Sequence, residues 1–400
     1  MQRLSGWLIV ASLGVLPVAA RADTFAGSVW LELRPRWNHI EESNLPEAAE
    51  GGTVRVLAGW RSGPWNGLRV AIEGIHANHW GEKRFNDDPA DIPISPYPLL
   101  PDPRHTGVNR AYVEVIGIDG LVARLGRQRV ALDNQRWLSD NDFRQIPQLF
   151  DGASLEYSGL PATRLTAGYY GQVRSTSGET DDLRLAVLNA AWNPMPDHAL
   201  GAFAYFHDQP NTAPFTGLAD ESYRVYGVRA EGVAARWGAV ELPYVVEAAR
   251  QRPYAGGDAR IDARYWRVGA GLATAQWTLR GDYEVRGSND GAYGLQIPLT
   301  DFYAFNGWTL KWFSAPREGL RDGWLTARWA IGPVTLYGEA HRFDSDFGDL
   351  DFGRELDAGI TWSILPNALL RLQHARYDSG SGRDYPEIRK TWLTFTFTYP

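Results

Sequence analysis

The sequence predicts an all-β fold: an antiparallel transmembrane β-barrel of about 18 strands, with short periplasmic turns and long outer loops. Three observations predict it. Segments of 9 to 12 residues repeat with a period of two, joined alternately by tight Gly- and Pro-bearing turns and by long polar stretches. Aromatic residues make up 12% of the chain, with 17 Trp, a usage that suits the apolar-to-wet boundary of a bilayer better than a soluble core. The average residue is nevertheless polar, and beyond the first twenty positions there is no run of about 18 apolar residues. A helical membrane protein is excluded. A barrel is not, because each strand shows lipid only every second residue.

The elements follow in order. Met1-Gln2-Arg3 is a short basic start, Leu4 to Val18 is apolar, and Ala20-Arg21-Ala22 supplies small residues for a peptidase. This reads as a secretory signal over 1–22 with the barrel over 23–400, since the apolar run is too short for an anchor helix. The clearest strand is Ala275 to Arg286. There Ala275, Trp277, Leu279, Tyr283 and Val285 share one face, and Gln276, Thr278, Arg280, Asp282, Glu284 and Arg286 share the other. The same alternation marks strands near 28–39, 53–61, 68–79, 107–117, 120–130, 151–159, 162–174, 183–193 and 197–207. The second half adds 221–231, 239–251, 262–273, 275–286, 320–331, 333–343, 354–364, 367–377 and 389–399. Pro243 falls inside one of these, where it cannot donate to a ladder.

Short turns carry Gly, Pro and Asn, as in Gly117-Ile118-Asp119-Gly120, Asn193-Pro194-Met195-Pro196 and Leu365-Pro366-Asn367. Long polar segments lie between them at about 40–52, 80–106, 131–150, 208–220, 287–319, 344–353 and 378–388. Strict alternation of short and long places both termini in the periplasm. The last strand ends on Phe395, Phe397 and Tyr399, the aromatic finish that barrel assembly reads, although Pro400 follows.

Composition narrows the function classes. With no cysteine, thiol catalysis, iron–sulfur clusters and Cys-based zinc sites are excluded. A net charge of −7 argues against nucleic acid as a partner. Of the 40 basic residues only Lys83, Lys311 and Lys390 are lysines, leaving 37 arginines. GC-rich codon usage accounts for such a bias; so does a need for the planar guanidinium fork that grips carboxylates.

If apolar residues face lipid, the opposite set lines the lumen. It includes Arg34, Arg36, Arg55, Arg69, Arg110, Arg124, Arg164, Arg184, Arg267, Arg280, Arg286, Arg328 and Arg371. It also includes Glu32, Glu73, Glu114, Glu156, Glu247, Asp282, Glu284, Glu339, Glu355 and Asp357, so the wall is mixed. Two readings stand side by side: cross-strand ion-pair ladders that stiffen the wall, or a conduit whose unpaired arginines attract anions. Lumenal aromatics expected from the same alternation are Tyr112, Tyr170, Trp192, Tyr226, Trp324 and Tyr337.

Two segments carry a more specific signal. One is Leu125-Gly126-Arg127-Gln128-Arg129-Val130-Ala131-Leu132-Asp133-Asn134-Gln135-Arg136-Trp137, with Phe143-Arg144-Gln145 and Phe150-Asp151-Gly152 behind it. The other is Pro298-Leu299-Thr300-Asp301-Phe302-Tyr303-Ala304-Phe305-Asn306-Gly307-Trp308, followed by Pro316, Gly319-Leu320 and Arg321-Asp322. The chain thereby resembles the alginate-export family of outer-membrane barrels, through essentially all of its mature length. The resemblance implies an 18-stranded barrel that secretes a polyuronate through an Arg-rich constriction closed by loops. Carried over by position, Arg127, Arg129, Asp133, Asn134, Arg136 and Arg144 belong to the strand and loop that shape the pore. With Arg110, Arg124, Arg280 and Arg328 from the lumenal set, they form the expected substrate path.

Export of an acidic polysaccharide such as alginate is therefore the leading expectation, and an anion-preferring porin for small carboxylates is the alternative. Expected partners are outer-membrane lipid and lipopolysaccharide, the anionic solute, and periplasmic export proteins. No cofactor, metal or catalytic residue is expected. His207, His341 and His374 lie on strands, but no Gly-x-Ser-x-Gly segment accompanies them. The acidic stretch Asp344, Asp346, Asp349 and Asp351 lacks EF-hand spacing and reads as a solvated loop.

Overall fold

The computed structural model describes residues 27–88, 95–209 and 218–399. The expected signal at 1–22, Pro400, and the stretches 89–94 and 210–217 of two expected outer loops lie outside the described residues. Alternating polar and apolar residues produce a meander of long strands. They are β1 (Ser28–Glu42), β2 (Ala49–Arg61), β3 (Leu68–Arg84), β4 (His105–Ile118), β5 (Leu121–Gln128), β6 (Leu149–Tyr157), β7 (Thr163–Arg174), β8 (Thr180–Met195) and β9 (His198–Asp208). The second half continues with β10 (Tyr223–Trp237), β11 (Val240–Pro253), β12 (Ala263–Ala273), β13 (Trp277–Arg286), β14 (Leu320–Ile331), β15 (Val334–Asp344), β16 (Asp351–Leu365), β17 (Ala368–Ser379) and β18 (Ile388–Tyr399). Every strand is antiparallel to its chain neighbours, and β18 pairs back onto β1 from Leu31↔Tyr399 to Glu42↔Ile388. Closure leaves no free sheet edge, the condition for placing strands in hydrocarbon.

All 18 strands fall where the alternation places them. Two ends differ by more than the usual margin: β3 continues to Arg84 rather than stopping at 79, and β10 continues to Trp237 rather than stopping at 231. A register shift between Val233 and Ala235 carries it on, and Pro243 of β11 is seated opposite Val233 at that irregularity. Two-residue turns at 119–120, 196–197, 238–239, 332–333 and 366–367 close one end of the barrel, while long connections crowd the other.

Apolar side chains cover the outside. Leu125 is 66% exposed, Leu356 63% and Val228 60%, burdens a water-facing surface would not carry in such number. Exposed aromatics ring both ends. Trp192, Trp237, Trp277, Trp329, Trp362 and Tyr399 lie near the short turns or the terminus beside them; Trp80, Tyr169, Tyr226, Trp266 and Tyr283 lie toward the long loops.

The packed interior is inside the barrel. The 129–148 and 287–319 loops fold inward, and their Trp137, Leu138, Leu295, Ile297 and Leu299 pack on Leu183, Leu185, Val187, Tyr223, Val225 and Tyr265 of the wall. Each such side chain contributes roughly 1.5–3 kcal/mol by leaving water. This packing corrects three expectations. In β8 the apolar Leu183, Leu185 and Val187 face inward, so Arg184 and Trp192 point outward. In β10, buried Tyr223 and Val225 likewise turn Tyr226 outward. Where a loop covers the inner wall, apolar residues face inward as well as toward lipid, as Leu188 and Val228 show on the outer face of the same strands.

Candidate functional site

Strands carry their alternate residues into the lumen, and there the charges segregate. On one side, β1 and β2 present Arg34, Arg36 and Arg55, and β17 and β18 add Arg371 and Lys390. Register places Arg371 and Arg36 on either side of Thr394, whose hydroxyl accepts a bond from Arg36 Nε at 3.1 Å. On the other side, β11 and β13–β16 present Glu247, Asp282, Glu284, Asp322, Glu339, Glu355 and Asp357.

Each inward loop complements the wall it meets. The 129–148 loop offers oxygens to the basic side. Arg34 donates to the Asp142 carbonyl and carboxylate at 2.5 and 2.9 Å, Arg36 to the Phe143 carbonyl at 2.7 Å, and Arg55 to the Arg144 carbonyl at 3.1 Å. Burial would raise the Asp142 carboxyl, but the Arg55, Arg34 and Arg129 guanidiniums hold it well below the usual carboxylate range. The same loop offers N–H groups to the acidic side: Trp137 Nε1 donates to Glu247 Oε1 at 2.6 Å, and Arg136 to Glu284 Oε2 at 2.5 Å.

The 287–319 loop meets the acidic wall almost wholly as donor. Asn306 Nδ2 donates to Glu284 and Asp322 at 2.8 and 3.0 Å, and Trp308 Nε1 to Glu339 at 3.1 Å. The Thr309 amide and hydroxyl donate to Glu355 at 2.7 and 2.5 Å. Gly307 makes this approach possible. Its φ is +85°, and a Cβ there would stand 2.5 Å from the Glu355 carboxyl carbon.

Most expected path residues are already paired. Arg110 binds Glu73 at 2.5 Å, Arg124 binds Glu114 at 2.8 Å, and Arg280 binds Asp282 at 2.7 Å. Arg129 contacts Asp140 and Asp142 at 3.3 and 2.8 Å. Arg136, 1% exposed, joins both loops by also donating to Asn306 Oδ1 at 2.8 Å. Asp133 accepts from Asn189 at 2.6 Å, and burial raises its carboxyl. Asn134 reaches Glu247 at 3.4 Å and caps the Arg136 amide at 3.1 Å. Arg127 differs: it pairs with Asp151 at 2.6 Å on the outward face that Leu125 and Leu155 share, away from the lumen.

Arg144 and Arg328 have no side-chain hydrogen bond or ion pair among the described residues, and Arg164 is in the same state. Burial pushes the Arg144 guanidinium down, against the pull of Asp102 and Asp301. Arg144 lies within electrostatic reach of both Arg36 and Lys390, and among the described residues buried Arg371 Nε has no acceptor. This cationic cluster crosses the seam where the first and last strands join, which sequence spacing cannot display. Trp308 and Thr309 each add a backbone amide donor, to Asp357 and Glu355, which leaves no side-chain signature. In the 344–351 loop, Asp346 pairs with Arg321 at 3.4 Å and Asp351 with Arg342 at 3.1 Å, while Asp349 is exposed, so its acids are dispersed.

Comparison with known proteins bears on this lumen. No curated protein matches the chain. Among solved structures it is similar to OccK9 (OpdG) of Pseudomonas aeruginosa, at TM-score 0.72 and 16% identity over 93% of this chain and 98% of that one. It is similar also to OpdK of the same organism crystallised with vanillate, at TM-score 0.70 and 12% identity over 93% and 98%. OpdL of that organism matches at TM-score 0.69 and 14% identity over the same shares. At such identities the likeness is one of fold, the closed 18-stranded antiparallel barrel. The family model described as alginate export matches residues 60–289, more than half the sequence. The chain is an outer-membrane channel protein of the alginate-export family.

Proposed function

We propose that the barrel conducts anionic solutes along its basic wall, and that its cargo is an acidic polysaccharide such as alginate. The observation that carries this is the cluster of Arg36, Arg144, Arg371 and Lys390, where cations outnumber the carboxylates in contact with them. Among the described residues Asp102 is the one carboxylate within ion-pair distance of the four, at 3.8 Å from Arg36, with Asp301, Glu42 and Glu355 in longer electrostatic reach. A polyuronate passing there would meet guanidiniums that grip each carboxylate in turn, in surroundings where the facing carboxylates are engaged by loop donors. Stacked Phe143 and Tyr303, 3.8 Å apart, with Trp308 and Trp392 beside them, offer flat apolar surfaces to sugar rings.

A second reading, uptake of small carboxylates, draws support from the two inward loops, which narrow the lumen with packed side chains. The fold neighbour bearing vanillate points the same way. Planar-bilayer recording tests both. Anion selectivity with block that deepens as oligouronates lengthen supports polymer passage; anion selectivity with block by monomers alone supports the small-solute reading. Clear cation selectivity overturns both.

A further inference from the structure

The acidic wall contains a place where the pairing rule of the lumen fails. Elsewhere Glu247 is met by the neutral donors of Trp137 and Asn134, and the buried carboxylates Glu73, Glu114, Asp282 and Glu284 each contact an arginine. Asp322, Glu339, Glu355 and Asp357 do not: among the described residues no Arg or Lys nitrogen lies within 4 Å of any of them. Among the described residues the one basic group within ion-pair distance of them is His341, 5% exposed, with Lys390 in longer electrostatic reach of Glu355. One imidazolium cannot balance three buried carboxylates and the partly exposed Glu339 beside them.

The geometry at His341 is that of a ligand held by its far side. Its ring is stacked between Trp324 and Phe343, at 5.7 and 5.4 Å and within 14° of each plane, which fixes its orientation. Nδ1 meets Asp322 Oδ1 at 2.9 Å, the carboxylate contact that holds a metal-binding imidazole with its proton on Nδ1. Nε2 then faces Glu339 Oε2 at 3.3 Å and Asp357 Oδ2 at 3.9 Å, and the three candidate ligand atoms lie within 4.8 Å of one another. Ligand atoms about 2.1 Å from a tetrahedral ion stand about 3.4 Å apart, so only a small contraction is required. A second observation is independent of this spacing. Asp357 is 1% exposed, its Oδ1 is buried without a hydrogen-bond partner, and its carboxyl lies against that of Glu355.

We infer that His341, Glu339 and Asp357 form a binding site for a first-row divalent cation such as Zn²⁺, with Asp322 positioning the imidazole. A nitrogen ligand among carboxylates selects this class over Ca²⁺, which takes oxygen alone. The bound charge relieves the Glu355–Asp357 repulsion. It also reinforces the 287–319 loop, because Trp308 bonds both Glu339 and Asp357.

The test uses the intact folded barrel in detergent, stripped with a chelator and titrated with Zn²⁺ by calorimetry and with Co²⁺ by visible absorption. One ion per barrel is expected, with a Co²⁺ spectrum that shows nitrogen ligation. His341→Ala should weaken binding by more than about 100-fold and Asp322→Asn by about 10- to 100-fold. His374→Ala, at an exposed histidine bonded to Thr391, should change neither. Heat-modifiable migration on gels confirms that each variant is folded. A stripped wild-type barrel that takes up no stoichiometric ion overturns the site, leaving shared protons to relieve the charge. Undiminished binding by folded His341→Ala overturns it as well.

Discussion

The two walls of the lumen solve opposite problems with the same kind of part. On the basic side, Arg34, Arg36 and Arg55 would repel one another, and the 129–148 loop lays carbonyl oxygens and the Asp142 carboxylate over them. On the acidic side, Glu284, Asp322, Glu339, Glu355 and Asp357 are met by N–H groups of the 287–319 loop. The difference lies in what remains uncovered. Among the described residues the basic wall leaves Arg144 and Arg371 Nε without an acceptor, near the stacked aromatics, whereas the acidic wall is met by donors except at Asp357 Oδ1. Neutral amide, indole and hydroxyl groups of that loop cover carboxylates without a charge of their own. A charged loop such as 129–148 must ration its few acids. The asymmetry therefore favours an anion path on one side and a structural clamp on the other.

Breaking the link between the loops should have the largest effect. Arg136 and Glu284 are each 1% exposed, and removing one partner of a buried pair costs about 3–5 kcal/mol. Arg136→Ala should lower the urea midpoint of unfolding and speed hydrogen exchange in both loops; unchanged exchange in 287–319 would show that the walls are clamped independently. Next comes Gly307→Val, which places a β-branched side chain at φ +85° and against Glu355. Strain of about 1–3 kcal/mol at the residue, with the clash added, should release the loop apex and raise single-channel conductance about twofold or more.

Asp142→Asn should cost less, about 1 kcal/mol, because this carboxylate is half-buried and water screens it. The pH dependence has a definite sign. Its folded value is depressed, so its contribution is fully present above the ordinary Asp value of about 3.9 and is lost as pH falls through the lower folded value. Wild type should keep the 129–148 loop docked at pH 4, and Asp142→Asn should show weaker docking at neutral pH with little further change on acidification. Smallest of all, Arg127→Ala removes an outward pair with Asp151 that is partly exposed, with an expected loss under about 1 kcal/mol and no change in ion selectivity. A selectivity shift as large as that of Arg371→Ala would place the conducting path on the wrong side of β5.

The alternation of residues along Ala275 to Arg286, repeated through the chain, carries the barrel, its strand number and the ordering of short and long connections. That follows from physics local to a strand: successive side chains face opposite sides, and lipid accepts only one kind. The 125–152 segment, inside the family match, and the 298–322 stretch, beyond it, likewise coincide with the two loops that enter the lumen. What alternation could not decide was the face of β8 and β10. There the loops bring a hydrocarbon surface inside, so Leu183, Leu185 and Val187 obey the same rule toward a different apolar partner. Nor could spacing show which arginines stay unpaired. Arg36 and Thr394 are 358 residues apart and meet only because the barrel closes. Arg127 sits beside Gln128 in sequence yet projects from the opposite face. Composition and period belong to the chain; charge balance belongs to the closed lumen, because it depends on which side chains and backbone groups the loops deliver.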